Sequence, residues 1–94
     1  MPDSSHADAG VTVKLVYLAR LRDAFGRADE RLTLATGSSV DALLHTLRAR
    51  GEPWSRELAP GRAFRIAVNH DVVGPAATLR DGDEVALLPP VTGG

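Results

Sequence analysis

The chain has 94 residues, 44% of them apolar, with 11 basic against 12 acidic residues and a net charge of −1. That length holds one domain with a modest core, burying about 60% of the unfolded surface, and the balanced charge argues against a nucleic-acid binder, which carries a basic stripe. No cysteine is present, which excludes disulfide staples, thiolate metal sites and thiol catalysis within the chain and fits a cytoplasmic protein.

Residues 1–10, MPDSSHADAG, are small and polar. They lack the basic and apolar regions of a secretory signal and read as a disordered lead, with His6 solvated. No apolar run approaches the ~20 residues that cross a bilayer, so no membrane association is expected. From Val11 to Ala19, VTVKLVYLA is β-branched and aliphatic. As a strand it puts Val11, Val13, Leu15 and Tyr17 on one face and Thr12, Lys14, Val16 and Leu18 on the other. The second face begins polar and ends apolar.

RLRDAFG, from Arg20 to Gly26, predicts a short helical turn closed by glycine. ERLTLA, from Glu30 to Ala35, alternates again, with Leu32 and Leu34 on one side, and is expected to pair with the first strand. The next stretch predicts the main helix. Ser38 is the expected N-cap with Asp41 three residues on, an acidic relative of the capping box. Val40, Leu43, Leu44 and Leu47 form one stripe. Arg48 and Arg50 suit the last turn, Gly51 the left-handed position after it, and His45 the surface beside the stripe.

EPWSRELAPG reads as a connector in which Trp54 packs on the helix or the sheet edge. Ala63 to Asn69 alternates as a strand with Phe64, Ile66 and Val68 on one face. Asn69-His70-Asp71 turns the chain and Val72-Val73 makes a short return, broken by Gly74 and Pro75. Asp81-Gly82 signals a tight turn, and Glu84 to Leu88 forms the last strand. The order is strand, strand, helix, strand, short strand, strand. One helix stripe against one mixed sheet is the economical way to bury it, an α+β fold.

Nothing in this pattern is a self-contained active site. Asp81, Asp83 and Glu84 lack the twelve-position spacing of a calcium loop and read as a solvated turn. The three histidines have no metal-like spacing. There is no Walker A loop, no dinucleotide fingerprint and no nucleophile elbow. No bound cofactor or metal is expected.

The C-terminus carries the signal. LPPVTGG follows the last strand directly. Pro89 and Pro90 fix φ near −65° and favour extended geometry; Val91 and Thr92 extend it. Gly93 and Gly94 have no side chain, so the final backbone fits a channel that excludes any other residue. The α-carboxylate of Gly94 is then the group presented.

The block Asp81 to Gly94, DGDEVALLPPVTGG, with AVN at Ala67 to Asn69 and the opening strand with LARLRDAFG, resembles the small subunit of molybdopterin synthase, a ubiquitin-like sulfur carrier. The resemblance spans about residues 11–94 and implies a β-grasp fold: about five strands, one main helix on one face, and the first and last strands parallel at the sheet centre. It implies a β-grasp domain at 11–88 and an extended tail at 89–94. It further implies that the Gly94 carboxylate is adenylated by an ATP-using, E1-like activating enzyme and receives sulfur from a donor protein. The tail Pro89, Pro90, Val91, Thr92 and Gly93 would then thread into the large subunit of the synthase. There the sulfur passes to cyclic pyranopterin monophosphate, in an assembly of two carriers and two large subunits. With the parallel pairing, Val16 and Leu18 lie near Ala86 and Leu88 on the face away from the helix, an apolar patch beside the tail that would dock on the large subunit. Leu18 and Leu88 stand where the family often has aromatic residues. Two alternatives stay open: a carrier for thiamin, cysteine or tRNA sulfur, and a ubiquitin-like binding module whose Gly-Gly end is never activated.

Overall fold

The structure, a computed structural model, describes residues 10–89; the polar lead up to residue 9 and the tail from Pro90 to Gly94 lie outside the described residues. Strand β1 (Val11–Tyr17) is followed by helix α1 (Arg20–Phe25), β2 (Asp29–Leu34), α2 (Val40–Arg48), α3 (Trp54–Glu57), β3 (Arg65–Val68), β4 (Asp71–Val73) and β5 (Glu84–Leu88). They build one five-stranded sheet in the order β2-β1-β5-β3-β4. β1 and β5 run parallel at its centre, with Leu15 opposite Val85 and Val16 opposite Ala86. Every other pairing is antiparallel. This is the β-grasp arrangement. Parallel neighbours require a long connection, and the chain between β1 and β5 supplies it as strands β2, β3 and β4 and the helices.

The alternation of β1 sets the inside of the molecule. Val13, Leu15 and Tyr17 are buried with Val85 and Leu87 of β5 under the stripe Val40, Leu43, Leu44 and Leu47 of α2. The stripe falls where the spacing predicts. The cap does not. Ser39, not Ser38, caps α2, accepting from the Ala42 amide at 3.1 Å. The reason is pairing outside the helix. Ser38 receives the Leu79 amide at 2.8 Å on its carbonyl and turns its hydroxyl back to the Ala35 carbonyl. Ser39 is bridged to Thr78 and held extended, which is the backbone an N-cap needs. Asp41 makes no box; its carboxylate lies 3.5 Å from His45 Nδ1. Arg50 likewise leaves the helix end and reaches β2.

The connector after α2 is more ordered than its two prolines imply, since Trp54–Glu57 form a helical turn. Trp54 stacks on Phe25 with ring centroids 3.9 Å apart, and Tyr17 meets both rings edge-on at 5.0 and 5.4 Å. Such contacts contribute about 0.5–1.5 kcal/mol per pair beyond burial. The Arg50 guanidinium caps the Trp54 face at 4.5 Å. Arg50 also holds Glu30 with two bonds, of 2.8 and 2.9 Å, and the Tyr17 hydroxyl donates to Glu30. The bonds from Arg50, above all, keep the Glu30 carboxyl below its ordinary range. Burial, reinforced by Glu30, pushes the Tyr17 phenol well above its own.

Two strand ends differ from the pattern. β3 begins at Arg65 rather than Ala63, because its partner β5 stops at Leu88, directly opposite Arg65. β3 ends at Val68, where Asn69 and His70 take left-handed φ values of 50° and 77°. That is the two-residue hairpin geometry whose twist matches the strands. No helix of the described residues is long and apolar enough to cross a membrane.

Candidate functional site

The sheet has a second face, turned away from α2, and the register decides what lies on it. Val16 of β1 pairs with Ala86 of β5, Ala86 with Ala67 of β3, and Ala67 with Val72 of β4. Four apolar residues therefore form one row across four strands. Residues two apart in a strand share a face, so Leu18 and Leu88 start the next row toward the C-terminal end of β5, with Arg65 opposite Leu88. Val72 is 65% exposed and Leu18 38%. Large apolar side chains in such exposure, joined by Val16 and Ala86, form a contiguous patch of the kind that marks an interaction surface. All four patch residues expected from sequence, Val16, Leu18, Ala86 and Leu88, are brought together on this face.

Val72 enlarges the patch, Ala67, itself buried, joins it to Ala86, and neither was foreseen. The signal was present: a two-residue turn at Asn69-His70 sets Val68 opposite Asp71 and hence Ala67 opposite Val72. The patch is bounded on its other side by charge, where Lys14 lies opposite both Arg31 and Glu84. Beyond that, the Thr12 and Thr33 hydroxyls bond at 2.8 Å.

The DGDE block is the exposed turn into β5 that the sequence predicts, and its polar groups are paired. Asp81 accepts the Thr12 amide at 2.8 Å, and Asp83 accepts the Arg80 amide at 2.8 Å. Asn69 donates from its amide group to Asp83 at 2.9 Å and accepts the Glu84 amide at 3.0 Å. Gly82 takes φ 87°, a conformation glycine adopts without strain, and its amide reaches the Thr12 carbonyl. Together AVN and DGDE lock the start of β5 against β1 and β3. Their role is to fix the register that aligns the patch.

At the opposite end β5 runs out into the tail. Pro89, half-buried, is the last described residue. Pro90, Val91, Thr92, Gly93 and Gly94, which the sequence nominates as the inserted segment and its reactive end, lie outside the described residues. Leu18 and Leu88 flank the tail root on the apolar side. The amide of Leu18 donates to the Leu87 carbonyl at 3.2 Å, which ties the end of β1 to the last turn of the ladder. Ala19 next to it has φ 51° and ψ −130°, strained backbone for any residue with a Cβ.

Among the described residues, no group of three or more His, Asp or Glu side chains could hold a metal ion. The site among the described residues is an apolar surface beside the root of the tail.

A model of the ThiS family matches residues 15–94, tail included. The molybdopterin synthase sulfur carrier subunit of Escherichia coli (strain K12) is 37% identical over 82 residues, covering 87% of this chain and 99% of that protein. The solution structure of the small archaeal modifier protein 1 from Methanosarcina acetivorans superposes with a TM-score of 0.71 at 27% identity, covering 89% of this chain and 97% of that one. A chain in the complex of subunits 1 and 2 of the molybdopterin-converting factor from Helicobacter pylori 26695 shares the fold, with a TM-score of 0.64 at 22% identity, covering 89% of this chain and all of that one.

Proposed function

Since the chain belongs to the ThiS family and aligns over nearly the whole length of a molybdopterin synthase sulfur carrier subunit, we propose that it carries sulfur on its C-terminus for molybdopterin synthesis. The Gly94 carboxylate attacks the α-phosphorus of ATP on an E1-like activating enzyme, and pyrophosphate leaves. The resulting acyl adenylate has a good leaving group. Hydrosulfide supplied by a donor protein attacks the acyl carbon, the C–S bond forms as the C–O bond to AMP breaks, and Gly94 becomes a thiocarboxylate. The loaded carrier docks on the large subunit of the synthase. Its tail, Pro89 to Gly93, enters that subunit's active site, and the sulfur passes to cyclic pyranopterin monophosphate.

The observation that carries this reading is placement. The apolar rows converge on the end of β5 from which the tail departs. Docking that patch and threading that tail are therefore a single event on one surface. Burying apolar area supplies affinity, while the side-chain-free tip pairs through its backbone with a narrow channel. The H. pylori complex of subunits 1 and 2 supports a large-subunit partner for the same fold. An assembly of two carriers and two large subunits follows if the large subunit is itself a dimer. The carrier holds no cofactor; ATP belongs to the activating partner.

Incubation with the activating enzyme, ATP and a sulfur donor, followed by intact-mass measurement, tests this. The expected product carries the mass gain of one oxygen-to-sulfur exchange at the C-terminus and is consumed when large subunit and cyclic pyranopterin monophosphate are added. A loaded carrier that transfers sulfur only to a thiazole, cysteine or tRNA precursor would reassign the pathway. A C-terminus that stays a carboxylate would defeat the reading.

A further inference from the structure

The apolar rows carry one charge at their tail-side end. Arg65 pairs directly with Leu88 in the antiparallel ladder of β3 and β5. Its neighbour Ile66 is buried in the core, so Arg65 stands on the outer face with the patch. The row of Leu18 and Leu88 therefore ends in a guanidinium on an aliphatic stem, beside the residue from which the tail departs. On the other side of Arg65 the ladder of β3 and β4 stops at Ile66 opposite Val73, so no strand residue faces it there. Arg65 is exposed. Among the described residues its guanidinium meets no carboxylate, whereas Arg20 and Arg62 are held by Glu57 and Arg50 by Glu30. Folding makes no use of this charge.

We propose that Arg65 pairs with a carboxylate, Asp or Glu, of the large subunit and so fixes the orientation in which the carrier docks. The proposal rests on the sulfur-carrier reading and deepens it. Directly opposite residues of an antiparallel pair hold their Cβ atoms about 4.5–5.5 Å apart, so a partner that covers Leu88 covers Arg65 as well. Docking then strips water from the guanidinium, and a charge desolvated without a counter-charge opposes the contact. The group that answers it best is a carboxylate, which accepts two parallel bonds from the arginine fork. The placement also gives direction. Apolar burial is non-directional, so the rows alone fit a partner in several rotations. One charge at the Leu88 corner, next to Pro89, selects the rotation that brings the tail to the partner's channel. The other cations of this face, Lys14 and Arg31, lie on the far side of the apolar row, where Glu84 stands opposite Lys14.

The test compares wild type with Arg65→Gln, Arg65→Glu and Arg65→Lys, and with Arg80→Gln, which removes the same charge from an exposed position before β5. Thermal melting checks that all four fold. The readouts are the large-subunit Kd at several salt concentrations and sulfur transfer from the thiocarboxylated carrier to cyclic pyranopterin monophosphate. Arg65→Gln is expected to raise Kd about five- to tenfold and to flatten its salt dependence. Arg65→Glu raises Kd further, Arg65→Lys falls between wild type and Arg65→Gln, and Arg80→Gln stays within about twofold of wild type. In sulfur transfer the KM of Arg65→Gln rises with kcat within about twofold, because the chemistry at Gly94 is untouched. A Kd and salt dependence equal to wild type in Arg65→Gln overturn the proposal and leave the carrier reading standing. An equal loss in Arg80→Gln also overturns it, by reducing the effect to overall charge, as does tighter binding by Arg65→Glu. A wild type that does not bind the large subunit overturns both this proposal and the reading it rests on.

Discussion

Tyr17 donates its phenolic hydrogen to Glu30, the residue whose cross-strand partner is Leu15, two positions earlier in β1. The bond is diagonal across β1 and β2, and Arg50 completes it from the end of α2. Three elements meet at one carboxylate, under the stacked rings of Phe25 and Trp54.

This cluster gives folding stability a pH dependence with a defined sign. The Glu30 pKa is lowered in the folded state from its ordinary 4.5, so between the folded value and 4.5 the unfolded chain binds more protons. Its contribution is complete above about pH 4.5 and is lost as pH falls through the folded value. The Tyr17 phenol is raised above its ordinary 10.0, so the unfolded chain releases its proton first and stability falls as pH rises past 10. Glu30→Gln is expected to cost about 1–3 kcal/mol at neutral pH and to flatten the acid limb of a stability-against-pH curve measured by urea unfolding. An acid limb as steep as that of wild type would show that Glu30 is not its source.

Val72→Asp places a charge in the most exposed part of the apolar row, where the free domain tolerates it. Thermal melting is expected to stay within a degree or two of wild type, while the large-subunit Kd rises by about tenfold or more, since a charge buried in an apolar contact is left unpaired. Leu88→Asp does the same from the tail side. Isothermal titration checks both, and affinity equal to wild type in Val72→Asp would confine the docking surface to β1 and β5.

Deleting Gly94 leaves residues 10–89 untouched and is expected to abolish thiocarboxylate formation with no change in melting temperature. Mass spectrometry reads the first and circular dichroism the second. Thiocarboxylate formation at the wild-type rate on Gly93 would show that the activating enzyme does not measure tail length.

Ala19→Gly is expected to stabilise the domain by about 0.5–1 kcal/mol, because only glycine holds φ 51°, ψ −130° without strain. For a chain of this size that is a rise of about 2–8 °C in Tm. A fall in Tm would mean that the unfolded-state entropy of glycine outweighs the strain relieved.

The strands and the main helix were legible because period-2 and period-3.6 patterns report burial directly, as in Val11 to Tyr17 and Val40 to Leu47. The cap was not, because Ser38 and Ser39 are equivalent as side chains and differ only in what residues 77–79 do to their backbones. The helical turn at Trp54 was hidden for a related reason. Four residues are too few to show a period, and its place is set by the Trp54–Phe25 stack, a contact distant in sequence. Four of the six residues of the apolar rows could be read from β1 and β5, since parallel pairing puts Val16 beside Ala86. Ala67 and Val72 needed the register of a second hairpin as well. The place of Arg65 beside Leu88 could not be read at all, because the pairing of β3 with β5 joins them by folding alone.

β5 has hydrogen-bonded neighbours along both edges, β1 on one side and β3 on the other. Traction applied to the chain beyond Pro89 acts along that strand, so it loads both ladders at once in shear instead of peeling them open bond by bond. If the proposed carrier role holds, each cycle of gripping and release pulls on a strand paired along both its edges, which resists unravelling.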